Sequence, residues 1–477
     1  MKSKFLLTLG LLSLTMSLSA QTNQQVLELI NKEVQQNSEA YQQLKKATET
    51  IGHRATGTEN GRLAEEYAAN LLRSYGYNVS FQEFLFNGWN RKSLNLKINN
   101  QPIKAVALAH SPANVSLSGE LIDLGNGLEE DYKKNADLVK GKIVLATIGL
   151  LDGTAKDVEN LHRSEKTALA EKYGAKGIIL FNRAPGGILL TGTASVTGEI
   201  IKIPSINISL EDGLKIKDNL KKGKEIAKIE MKNDVGQMKG RNIIAKKIGA
   251  KFPNEKIVLG GHLDSWDLAT GAIDNGVGSF SVIDIARTYE KLKLPNDRTI
   301  EFVLFMGEEV GLLGSKYYVN EAIKDGSISE IKAMSNMDMT TNPKSYYSTM
   351  ESNLPVLTAY AKDVQQVIPD FKLATFASVD LHSDHQPFML QGVPIIGLSD
   401  SQFKEGALNC YHANCDTFDY VEEVGLKNNV ILETYLLYRL SNLKEIPSKR
   451  WSEQETKEAL IKGNLETPLR ISGDWRW

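Results

Sequence analysis

Lys256-Ile257-Val258-Leu259-Gly260-Gly261-His262-Leu263-Asp264 is the stretch on which the fold turns. A short apolar run enters two glycines, then a histidine and an acid. Read as a buried strand, it delivers those polar residues to its carboxyl end, where α/β proteins build their sites. The sequence then alternates. A helix is expected over 277–292, with Val282, Ile285, Ala286 and Tyr289 turned inward. A strand at 299–306, a helix at 311–320 and a strand at 332–337 follow. Then come a helix at 354–368, a strand at 393–398 and a long helix at 424–443. This alternation predicts an α/β fold, a doubly wound mixed and mostly parallel sheet.

Upstream the rhythm differs. Residues 24–49 read as helical, with Val26, Leu27, Leu29, Ile30 and Val34 on one stripe. The loop Gly52-His53-Arg54-Ala55-Thr56-Gly57-Thr58 leads to a helix at 59–75, stopped by Gly76. A strand is expected over 79–86. Residues 100–235 form a separate β-rich insert, with apolar runs at 142–146 and 177–181 and loops at Pro185-Gly186-Gly187 and Gly198. Apart from scattered acids, the metal-binding side chains this insert offers are His110 and His162, so it is read as lacking chemistry of its own. Asn233 to Gly240 reads as the linker back. Residues 21–99 and 236–446 then make one discontinuous catalytic domain, and 447–477 a polar tail with Trp451, Trp475 and Trp477.

The chain has 477 residues, of which 42% are apolar and 24% charged, ordinary values for a globular protein. Its 56 basic and 58 acidic side chains leave a net charge of −2, which argues against a nucleic-acid partner. Lys2, Lys4, the apolar run 5–18 and Ser17-Leu18-Ser19-Ala20 make residues 1–20 a signal peptide, with cleavage expected after Ala20 and Ser19 the alternative. That run is short for a spanning helix, and no later stretch is apolar enough to cross a bilayer, so no membrane anchor is expected. An exported protein, periplasmic or secreted, follows. Cys410 and Cys415 are the two cysteines. In an oxidising compartment they can pair, and so short a loop would stiffen the segment around His412 more than the whole fold. Two free thiols is the other reading.

The polar residues at the strand ends fit a metal pair. Zinc accepts imidazole nitrogen and carboxylate oxygen, and two ions can share a bridging carboxylate and a water. His262, Asp274, Glu309, Asp338 and His412 are five such donors at strand ends or in the loops beyond them. Glu308 adjoins a proposed ligand and can present a proton-accepting carboxylate to the same site. In an extended segment residues two apart face one side, so Asp264 can bond the far ring nitrogen of His262.

In these motifs the sequence resembles the zinc exopeptidase family of aminopeptidases and glutamate carboxypeptidases. The layout is similar to its plasma glutamate carboxypeptidase subgroup. The resemblance covers most of 24–445. It rests on Gly261-His262-Leu263-Asp264-Ser265-Trp266-Asp267, Gly271-Ala272-Ile273-Asp274-Asn275-Gly276, Gly307-Glu308-Glu309, Asn336-Met337-Asp338 and Tyr411-His412. It implies the zinc exopeptidase fold with a protease-associated-like insert, and two zinc ions per chain. His262 and Asp338 would hold one zinc, Glu309 and His412 the other, and Asp274 would bridge them. Glu308 would be the general base, Asp264 would orient His262, and Tyr411 would help stabilise the oxyanion. The Asp274–Asn275 bond is expected to be cis, and Cys410–Cys415 matches a disulfide of some members. Ser383-Asp384-His385-Gln386-Pro387-Phe388 resembles a stretch near the substrate cleft, making Asp384 and His385 candidate substrate contacts. Arg54 and Thr56-Gly57-Thr58 resemble an early motif with a structural role.

The expected activity is exopeptidase hydrolysis of dipeptides or short peptides. Aminopeptidase, dipeptidase and carboxypeptidase remain open. A single-zinc glutaminyl cyclase and an inactive ectodomain are the alternatives. The subgroup's homodimers make a second copy a possible partner.

Overall fold

Two very long strands organise the molecule. In a computed structural model, which describes residues 22–477, Val79–Ile98 and Ile226–Lys247 pair antiparallel from Val79↔Ala245 to Ile98↔Ala227. One end of this ribbon belongs to the catalytic sheet and the other to the insert. Residues 1–20, the expected signal peptide, lie outside the described residues. Among the described residues no helix is long and apolar enough to cross a membrane.

In the catalytic sheet Ile226–Lys247 runs antiparallel to Arg298–Phe305, which pairs parallel with Phe252–His262; that strand in turn pairs parallel with Ile331–Asn336. Successive side chains of these strands go to opposite faces. Ile257, Leu259, Ile300, Phe302 and Leu304 pack on one side under Val277–Lys291 and Glu423–Ser441. Val258, Val303, Phe305 and Met334 pack on the other with Tyr318, Val319 and Phe388. The sheet is therefore mixed and covered on both faces, as the alternation predicts. Strand register aligns the carboxyl ends: Phe305 pairs with His262 and Asn336 with Gly260.

Three expectations need correction. Asn233 to Gly240 is not a linker but the middle of the strand Ile226–Lys247, with Val235 paired to Trp89. The insert, as expected, alternates strands with short helices. Its strands Asn114–Asp123, Ile143–Thr147, Gly177–Phe181 and Ser205–Ile208 adjoin in parallel pairs, with helices Arg163–Lys172 and Leu210–Leu220 packed on them. Parallel strands need crossovers, and helices supply them. The 24–49 helix is two, Asn23–Asn37 and Ala40–Thr50, because the carboxylate of Asp284 accepts from Ser38 Oγ at 2.7 Å and Glu39 N at 3.2 Å. The tail forms helices Glu453–Lys462 and Glu466–Ser472, which bury Leu460 and Leu469, with Trp475 and Trp477 packed beside them.

Glu433, on the long helix Glu423–Ser441, is completely buried and its carboxyl oxygens lack hydrogen-bond partners. Burial pushes its carboxyl up to about 8. The folded chain then holds a proton that the unfolded chain releases above the ordinary glutamate range. Stability from this group is complete at low pH and is lost as pH rises toward 8. One such proton gives a slope of up to ~1.4 kcal/mol per pH unit. Glu433→Gln should flatten the fall in Tm between pH 5 and pH 8, and an unchanged slope would count against a buried neutral Glu433.

Candidate metal centre

His262 is the last residue of its strand. Glu308 and Glu309 follow Arg298–Phe305 across Gly307, whose φ of +80° is the left-handed region glycine enters without penalty. Asp338 lies two residues past Ile331–Asn336, and Asp274 sits in the turn Ala272–Gly276 that starts the Val277–Lys291 helix. A Cβ on Gly261 would stand 2.7 Å from the Met337 carbonyl, so glycine lets two strand ends close on each other.

The five expected donors meet. His262 Nε2 lies 3.2 Å from Asp274 Oδ1 and 3.3 Å from Asp338 Oδ1. His412 Nε2 lies 3.0 Å from Asp274 Oδ2 and 3.0 Å from Glu309 Oε2. Asp274 thus gives one oxygen to each half of the cluster. His262, Asp274 and Glu309 each offer one donor atom within 4.8 Å of the others'. Although His412 is close, neither oxygen of Glu309 has a hydrogen bond of good direction. Three carboxylates and two imidazoles crowded together, mostly buried, need cations. This donor set fits zinc.

The electrostatics express the same need. Burial raises the Glu309 carboxyl to about 7, against the opposing pull of His412. Burial also raises Glu308, with Asp338 and Glu309 adding to it and His262 opposing. Burial alone would depress the two histidines, but Asp338 and Glu308 lift His262, and Glu309 and Asp274 lift His412. Burial would raise Asp274 too, but bonds with the two imidazoles hold it below the usual carboxylate range.

Neighbouring groups fix the donors. Asn275 donates to the carbonyls of His262 at 3.2 Å and Met337 at 2.8 Å, and accepts from Gly278 N and Met339 N. The peptide bond before it is cis. Asp416 accepts from Ile273 N at 2.8 Å and Asp274 N at 3.0 Å. Arg54, fully buried, donates to the carbonyls of Leu263, Thr270 and Gly271. Ser383 Oγ donates to Asp338 Oδ2 at 2.6 Å. Cys410 and Cys415 form a disulfide around His412, whose φ is +53°. Sequence reasoning named the five donors but gave no role to the side chains of Asn275 and Asp416, whose partners are backbone atoms.

Three expectations change in detail. His262 Nδ1 lies 3.1 Å from the Asp264 backbone carbonyl and 3.6 Å from its carboxylate, so the carbonyl is the nearer acceptor. The Asp264 carboxylate instead accepts from Thr56 Oγ1 at 3.0 Å and Glu308 N at 3.3 Å, holding the backbone of the expected base. Asp384 has no exposed surface and His385 is buried against Asp380 at 2.7 Å, so neither reaches a substrate in this conformation. Tyr411 is 40% exposed, its ring stacked on His412 at 3.9 Å between centroids.

The insert also reaches the centre. Thr191 N donates to the His412 carbonyl at 2.8 Å, and Leu189 and Asn414 exchange hydrogen bonds. Arg163 Nη2 lies 3.0 Å from His412 Nδ1.

Residues 242–435 match peptidase family M28, and residues 117–216 match the PA domain. The stretch 242–435, which holds the catalytic sheet, is similar to the M28 peptidases. The chain is similar to leucine aminopeptidase 2 of Trichophyton rubrum, 29% identical over 295 residues, covering 61% of this chain and 55% of that protein. The chain thus spans about half the length of that relative. Aminopeptidase YwaD of Bacillus subtilis is 26% identical over 434 residues, covering 88% of this chain and 89% of that one. The solved structure of BSAP, a zinc aminopeptidase from Bacillus subtilis, superposes with a TM-score of 0.66 at 24% identity, over 86% of this chain and 96% of that chain. Within the M28 domain, the five donors and Glu308 all fall inside the matched residues.

Removing the Asp416 carboxylate leaves two buried N–H groups without acceptors beside the shared ligand. Asp416→Ala should weaken zinc binding by roughly 10–100-fold, measured by competition with a chromophoric chelator. Unchanged affinity would remove Asp416 from the support of this centre.

Proposed function

We propose that the chain is an exported exopeptidase that holds two zinc ions and hydrolyses dipeptides or short peptides. The observation carrying this reading is the sharing of Asp274 between His262–Asp338 and His412–Glu309. The aminopeptidase names of the relatives support it. His262 and Asp338 would hold one zinc, Glu309 and His412 the second, with Asp274 between them. When bound, the pair supplies Lewis acidity, lowering the pKa of a water and polarising the scissile carbonyl.

The side chains around it do the rest. Glu308 keeps some exposed surface while protein surrounds it closely. Its backbone is held by Asp264, so its carboxylate is aimed rather than free to wander. It takes the proton from the attacking water and returns it to the leaving amine. Tyr411, stacked on His412, would donate a hydrogen bond from its hydroxyl to the developing oxyanion. The buried Asp416, Asn275 and Arg54 keep the ligand loops from moving as charge shifts, a form of preorganisation.

A single-zinc cyclase is less well supported, because all five donors stand together here. Export rests on the signal-peptide reading of residues 1–20 and agrees with the Cys410–Cys415 disulfide.

Glu308→Gln should retain two zinc ions by elemental analysis and lose about two orders of magnitude or more in kcat. Near-normal turnover would sink the base assignment. Unblocked, N-acetylated and C-amidated forms of one dipeptide separate the open specificities. Loss of cleavage on acetylation alone means an aminopeptidase, and loss on either modification means a dipeptidase.

A further inference from the structure

The tail, residues 447–477, converges on one short helix, His385–Leu390, whose residues are all buried. So short a helix is unstable by itself and depends on what packs against it. Leu460 and Leu469 of the tail are fully buried in one apolar cluster with Phe388, Met389 and Leu390. The last carbonyls of a helix lack partners within it. Here the tail supplies them. Arg476 Nη2 donates to the Leu390 carbonyl at 2.8 Å, Arg450 Nε to that of Gln391 at 2.6 Å, and Trp451 N to that of Gly392 at 2.9 Å. Gly392 has a φ of +75°, and a Cβ there would stand 2.4 Å from the Trp451 carbonyl oxygen, so glycine admits the tail.

The other end of this helix leads to the metal centre. Gln386 Nε2 donates to Asp474 Oδ2 at 3.1 Å, and Gln386 Oε1 accepts from His382 N at 2.9 Å. Gln386 N donates to the Ser383 carbonyl at 2.9 Å, which closes the turn. Within that turn Ser383 Oγ accepts from Asn336 Nδ2 at 2.6 Å and donates to Asp338 Oδ2 at 2.6 Å. The other oxygen of Asp338 faces His262. A line of hydrogen bonds and one tight turn thus joins the tail to one expected zinc ligand. His412 is docked instead on the insert, through Thr191. At the tail end, Lys316 Nζ and Ser472 Oγ each stand 3.4 Å from the same Asp474 oxygen, holding that carboxylate in place.

We propose that Asp474 is a positioning residue for the metal centre, acting through Gln386 and Ser383 on Asp338, so that the tail tunes the hold on one of two zinc ions. This rests on the two-zinc reading above. A carboxylate already held by outer hydrogen bonds loses less freedom when it takes a metal than one that must be ordered at that moment.

The test is zinc affinity, measured by competition with a chromophoric chelator, which needs no turnover. Asp474→Ala should weaken one zinc by about three- to tenfold and leave the other within about twofold, a smaller effect than that of groups touching a ligand directly. Asp474→Asn keeps an acceptor for Gln386 and should stay within about twofold of the unaltered chain. In an Asp338→Ala background the line has lost its end, so Asp474→Ala should then change zinc affinity by less than about twofold. A merely structural tail would give the same loss in both backgrounds. That result, or undiminished affinity in Asp474→Ala, overturns the proposal. If Asp474→Ala fails to fold, Gln386→Glu decides, because it keeps the acceptor for His382 N but sets a carboxylate against Asp474. A loss of about threefold or more then supports the proposal, and unchanged affinity overturns it. A single zinc in the unaltered chain defeats the two-zinc reading alone, because the comparison of backgrounds still reads the tie between Asp474 and Asp338.

Discussion

The carboxylate of Asp274, divided between His262 and His412, is the constraint to which the rest of the site answers. A buried carboxylate with an imidazole on each oxygen and two further carboxylates behind them is unstable unless positive charge fills the gap. Holding that arrangement takes the strand end at His262 and four loops. The parallel register brings two strand ends level with His262 and Gly260, and the helix start at Ala272–Gly276 supplies the third loop. The fourth, around His412, is closed by the disulfide and docked on the insert.

Around this charge cluster lies a shell whose work is mechanical. Asn275 joins the loops of His262 and Met337, Asp416 fixes the backbone of Asp274, and Arg54 gathers three carbonyls. Each is nearly or completely buried. Asp264 links this shell to chemistry, because its carboxylate holds the backbone of Glu308.

Much of the fold was legible because its signals are local. The run 256–264 showed both the buried strand and the candidate donor at its end, and the alternation after it gave the doubly wound sheet. The candidate donors could be named because His262, Glu309 and Asp338 stand at or just past strand ends. What escaped was long-range. Ser38 and Glu39 break a continuous helical pattern because Asp284, 246 residues from Ser38, captures them. The ribbon 233–240 looked like a linker because its partner strand is distant in sequence. Arg163 reaches His412 across 249 residues, and nothing in His162-Arg163-Ser164 marks that contact. Asp384 was legible as a residue near the site, but its complete burial was not.

The most direct measurement is anomalous scattering at the zinc edge from crystals of the zinc-loaded chain. Two peaks about 3.5–4 Å apart are predicted, both touching Asp274, one beside His262 and Asp338 and the other beside Glu309 and His412. A single fully occupied peak in the presence of excess zinc, or a peak away from Asp274, would contradict the account.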